Sequence, residues 1–123
     1  MFSVRTDRDQ RTIRTVIGGF ISVEEGRAFI DEVMRQVVVA GWESLSYKLL
    51  VDATDYLPQS REVADALQQA IAGAPRKALK VALCSEKMLV NMQLRRTLKV
   101  NAIKFFSNVS EAEAWLSGER PLP

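Results

Sequence analysis

The chain has 123 residues, 47% hydrophobic and 26% charged, with 17 Lys and Arg against 15 Asp and Glu for a formal net charge of +2. That length fits one domain whose core closes without staples, and the high apolar fraction with a small net charge excludes a disordered chain. Histidine is absent and cysteine occurs once, at Cys84, which excludes Ser-His-Asp and Cys-His catalysis, HExxH zinc sites, an intramolecular disulfide and CxxC redox chemistry.

Phe2 to Thr6 and Thr12 to Ile17 mix β-branched with polar residues around the turn cluster Asp7-Arg8-Asp9-Gln10, the pattern of an antiparallel strand pair. Arg5, Arg8, Arg11 and Arg14 are interleaved with apolar residues, which suits one solvated face. Gly18-Gly19 breaks the second strand, and in Ser22-Val23-Glu24-Glu25 the hydroxyl and carboxylate are spaced to satisfy each other's backbone donors. A helix is expected from about 23 to 38, with Val23, Ile30, Val33, Met34 and Val37 as its apolar stripe and Ala40-Gly41-Trp42 as its stop. Tyr47 to Val51 is almost wholly apolar and ends at Asp52, which predicts a central strand covered on both faces.

Leu57-Pro58 holds the chain extended before a second helix that carries Gln59 and Ser60 in its first turn, repeats Val63, Leu67 and Ile71, and ends near Gly73-Ala74-Pro75. Val81 to Cys84 is another buried strand, followed by Ser85-Glu86-Lys87 and a third helix from about Met88 to Leu98, with Val90, Leu94 and Leu98 as its core face. Ile103 to Phe106 forms a last strand, and Ser110-Glu111-Ala112-Glu113 repeats the capping spacing before Ala114-Trp115-Leu116. The order ββαβαβαβα predicts an α/β fold, a mixed five-stranded sheet with four helices. Strands three to five run parallel and the first hairpin is antiparallel, in a single domain over 1–117 with a polar tail over 118–123.

This order is similar to the STAS fold of bacterial anti-anti-sigma factors, and more closely to the SpoIIAA-like group, over nearly the whole chain. The residues that carry the likeness are Leu49-Leu50-Val51-Asp52-Ala53, Lys80-Val81-Ala82-Leu83-Cys84, and Phe105-Phe106 followed by Glu111-Ala112-Glu113-Ala114-Trp115-Leu116. The resemblance implies a non-catalytic regulatory module, with no cofactor, whose partner is a protein of the kinase and anti-sigma type. It also implies phosphorylation of a Ser at the start of the helix after the third strand. Ser60 is the nearest match, with Gln59 where that family usually has Asp. The SpoIIAA-like group further resembles the CRAL-TRIO lipid carriers, which implies an apolar ligand as the alternative.

In open α/β sheets partners meet the carboxyl ends of the parallel strands, where helix N-termini gather. Asp52, Asp55, Gln59, Ser60 and Ser85 fall there, forming the expected partner or ligand surface together with Met88, Met92, Arg95, Arg96 and Lys99. Ser60 is read both as a helix cap and as a phosphate acceptor. Asp52 and Asp55 suit turn and capping uses before a cation or acid–base pair, for which no third ligand is evident. Cys84 reads as a small buried hydrophobe before a reactive thiolate. Met88 and Met92 read first as buried gap fillers, and otherwise as the lining of a partner groove or apolar pocket.

Charge is polarised along the chain: between Arg76 and Lys104 eight basic residues face Glu86 alone, a net +7, which leaves −5 on the remainder. Such a segment serves as a solvated face or attracts an acidic protein, an anionic lipid surface or nucleic acid. Nucleic acid fits it least, since no aromatic residue lies between 76 and 104. The single cysteine suits a reducing compartment, and no run approaches the roughly 18–20 apolar residues that span a bilayer. With no secretion signal at the start, the expected setting is the cytoplasm, and the Asn108-Val109-Ser110 sequon carries no weight. The expectation is therefore a non-catalytic interaction module, able to pair through the exposed edge of its first hairpin. Its alternative is a carrier with an apolar molecule near Met88 and Met92 and an anionic head group held by basic residues.

Overall fold

Alternating β-branched and polar residues bring Phe2–Asp7 (β1) and Thr12–Ile17 (β2) together as an antiparallel hairpin, with Phe2 opposite Ile17 and Asp7 opposite Thr12. This is seen in a computed structural model that describes residues 1–98 and 102–118. The remaining elements follow as α1 (Val23–Ala40), β3 (Lys48–Asp52), α2 (Arg61–Gly73), β4 (Lys80–Cys84), α3 (Met88–Thr97), β5 (Ile103–Phe106) and α4 (Val109–Ser117). The molecule is α/β, a mixed five-stranded sheet with four helices, and its strand order is β1-β2-β3-β4-β5. Strands β2 to β5 all run parallel. The parallel set therefore includes β2 as well as the expected three, because α1 carries the chain back before β3 starts.

Each crossover steps the same way across the sheet, so the right-handed preference places α1, α2 and α3 on one face. Their buried residues Phe29, Val33, Val37, Val63, Leu67, Val90 and Leu94 join Ile13, Ile17, Val51, Val81 and Leu83 of the strands in the main core. On the opposite face Ala112 and Leu116 of α4 pack on Leu50, Ala82 and Cys84. The apolar runs of β3 and β4 are thus split between two layers, the reason those strands lack polar alternation.

The buried stripe of α1 centres on Gly26, Phe29, Val33 and Val37, while the expected stripe members Ile30 and Met34 flank it half-buried. Gly26 belongs to the stripe because a side chain there would crowd α2: an added Cβ would lie 3.3 Å from Leu67 Cδ2. Ser22 caps α1 as expected, accepting the Glu25 N–H at 3.0 Å, but the Glu25 carboxylate lies 2.6 Å from the Met1 ammonium. At α4 the cap is Asn108, whose Oδ1 accepts the Glu111 N–H at 2.9 Å, which corrects the expected Ser110-to-Glu113 pair. Ser110 is already inside the helix, and Glu113 is drawn to Arg14 of β2, which also bonds Asp7. Among the described residues no helix is long and apolar enough to cross a membrane. Lys99 and positions 119–123 of the expected tail lie outside the described residues.

Candidate functional site

Strands β2, β3 and β4 end side by side, and the loops that leave them meet at the carboxyl end of the sheet. Gly19, with φ at 71°, bends its loop so that its N–H donates to the Asp55 carbonyl at 2.8 Å and its own carbonyl accepts from Leu57 N–H. Between these loops lies Gln59. Its Oε1 accepts the Ile21 N–H at 2.9 Å, its Nε2 donates to the Gly19 and Leu57 carbonyls, and its backbone exchanges two bonds with the Gln93 side chain of α3. Expected on the partner surface, Gln59 is instead only 8% exposed, since an amide carries both donor and acceptor and can satisfy a buried loop.

Ser85, also expected at the surface, is buried as well, with Oγ accepting the Lys87 N–H and its carbonyl accepting from Asn91 Nδ2. It builds the start of α3, which has no side-chain cap of its own. Asp52 is half-buried and makes an Asx turn, accepting from Thr54 N–H at 3.1 Å and Thr54 Oγ1 at 2.6 Å. Asp55 is exposed and contributes its backbone carbonyl to Gly19. No group of three or more His, Cys, Asp or Glu among the described residues is placed to hold a metal ion. Cys84 is 1% exposed, and burial, with Asp52 and Glu113 nearby, pushes its thiol up to about 11.

Ser60 stands at the N-cap of α2, exposed, with Oγ accepting the Val63 N–H at 3.2 Å. Its capping use and its accessibility coexist. On α3 the core face forms as expected, with Val90 and Leu94 buried and Leu98 half-buried. Met88 and Met92 are not gap fillers: they are 75% and 47% exposed, with Leu89 exposed between them. The reason is geometric, since α3 rests on the sheet through Val90, Leu94 and Thr97 and turns its other side to solvent. Arg95 and Arg96 are exposed in its last turn, and the Arg95 guanidinium lies 4.3 Å from the centre of the Phe105 ring.

A cavity of about 110 Å³ lies between the sheet and helices α1, α2 and α3, walled by Phe29, Val33, Val51, Leu67, Leu83 and Leu94 among others. Neither Met88 nor Met92 reaches it. At about 24 cal/mol per Å³, leaving an apolar space of this size empty costs on the order of 2–3 kcal/mol. A second cleft, on the α4 side, is polar, but its charged groups are engaged: Arg14 with Asp7 and Glu113, and Lys48 Nζ with the Leu116 carbonyl at 2.9 Å. Nothing in the local sequence marked the first cavity, because its walls come from six separate elements and the loops between them, and most wall residues read as ordinary core. No protein-family model matches the chain, and no curated protein matches it.

Proposed function

We propose that the chain is a non-catalytic, STAS-like interaction module that binds an acidic protein partner through the outer side of α3 and the Ser60 end of α2. One observation carries the reading: Met88, Leu89 and Met92 stand exposed together on one helix, inside a segment of net charge +7. Flexible thioethers suit an adaptable contact, and Arg95 and Arg96 on the same helix supply the attraction that draws in an acidic surface. The polar groups at the carboxyl end of the sheet support binding over catalysis, since Gln59, Ser85 and Asp52 are engaged in shaping loops and the Cys84 thiol is buried. Phosphorylation of Ser60 would add about −1.5 to −2 of charge at an exposed helix N-terminus and so oppose an acidic partner.

Affinity capture from extract of the source organism tests this, with captured proteins identified by mass spectrometry. The wild-type chain should retain an acidic protein that Met88→Glu/Met92→Glu loses by roughly tenfold or more, since both positions are solvent-facing and the fold tolerates charge there. Ser60→Asp, which keeps a good N-cap, should weaken capture while Ser60→Ala preserves it. Equal capture by the double Glu variant would overturn the reading.

A further inference from the structure

We propose that the apolar cavity beneath α1, α2 and α3 is a binding site for a small carboxylate whose apolar part is the size of one ring or about five carbons. This site is separate from the partner surface on α3. The volume, about 110 Å³, is somewhat below the roughly 150 Å³ at which an apolar protein cavity stays dry and takes up benzene. Its walls are mostly apolar, so water gains few hydrogen bonds inside it and a hydrocarbon group is the natural occupant.

The polarity of the wall fixes the ligand's head group. Most wall residues are buried, and among the half-buried ones Ile71, Ala74, Arg76, Lys77 and Ala78 lie together along the chain where α2 ends and the segment to β4 begins. Arg76 and Lys77 both stand there, and neither forms an ion pair among the described residues. Arg76 Nη1 donates to the Trp42 carbonyl at 3.0 Å, which holds the guanidinium in place and leaves the rest of its donor fork for an anion. Lys77 Nζ donates to the Ile71 and Ala72 carbonyls at 2.7 and 3.0 Å, which offsets the negative end of α2 that would otherwise repel a carboxylate. Tyr56, 1% exposed, belongs to the same wall.

Methionine positions give a direct readout, since Met34 lines the cavity while Met88 and Met92 face solvent. In protein labelled with ¹³C at the methionine methyl groups, titration with hexanoate should shift the Met34 signal saturably and leave Met88 and Met92 unmoved. Arg76→Gln/Lys77→Gln keeps hydrogen-bond donors and removes both charges, so it should weaken hexanoate by about tenfold and leave 1-hexanol unchanged. Shifts confined to Met88 and Met92, or no saturable shift of Met34 at millimolar hexanoate, would overturn the site. Unchanged hexanoate affinity in the Gln pair would overturn the assignment of a carboxylate. None of these results depends on the captured partner protein.

Discussion

Burial under α4 sets the chemistry of Cys84. The thiol is enclosed by the smaller core layer, so the neutral form is favoured and ionisation is delayed from 9.0 to about 11. The folded value lies above the unfolded one, so the stabilisation is complete below about pH 9 and is lost as pH rises through about 11. The unfolding free energy from urea titrations between pH 8 and 11 should fall across that window by roughly 2–3 kcal/mol, and at pH 8 the thiol of the native protein should resist Ellman's reagent until urea is added. Fast labelling of the native protein at pH 8 would contradict this burial. Tyr47 adds a later loss, since burial lifts its hydroxyl to about 12. Cys84 was legible as a buried residue because it closes an apolar run. Gln59 was not: its polarity suggested surface, and only the convergence of the Gly19, Leu57 and α3 segments on one amide made it interior.

Between elements, α1 meets α2 closely at Gly26. A methyl group there would sit 3.3 Å from Leu67 Cδ2 and 3.4 Å from Leu67 Cγ, tight enough that Leu67 must yield by a few tenths of an ångström. Leu67 also walls the apolar cavity, so it has space to move into. Gly26→Ala should therefore stabilise the protein by up to about 1 kcal/mol, through the helix propensity of alanine, as read from the urea midpoint. A loss of stability would mean that Leu67 is held fast. The helices and strands themselves were readable from periodicity and breakers, and β5 falls where Ile103 to Phe106 predicted it. Caps were less secure: Ser-x-x-Glu at Ser110 has the right spacing, yet Asn108 takes the role because Glu113 is better placed against Arg14.

Across the whole molecule, charge is uneven while the net value is small. A segment at +7 stands against a remainder at −5 along the chain, and most of the basic segment's described charged side chains are at least partly exposed. Association with an acidic partner should accordingly slow as salt rises. The on-rate measured at 50 and 300 mM NaCl should drop several-fold while dissociation changes little, because the Debye length shrinks below the distances over which the segment steers. An on-rate indifferent to salt would remove electrostatic steering from the proposed contact.

By itself the sequence determined the element order, the α/β class and the central place of β3, because hydrophobic period, capping residues and breakers act over a few neighbouring positions. It also bounded the chemistry through its missing histidines and lone cysteine. The tertiary structure decided which side of α3 meets solvent, that Gln59 and Ser85 are interior, and that an apolar space remains between the sheet and three helices. Those properties arise where residues distant along the chain meet, and packing between them depends on shapes that no local pattern encodes.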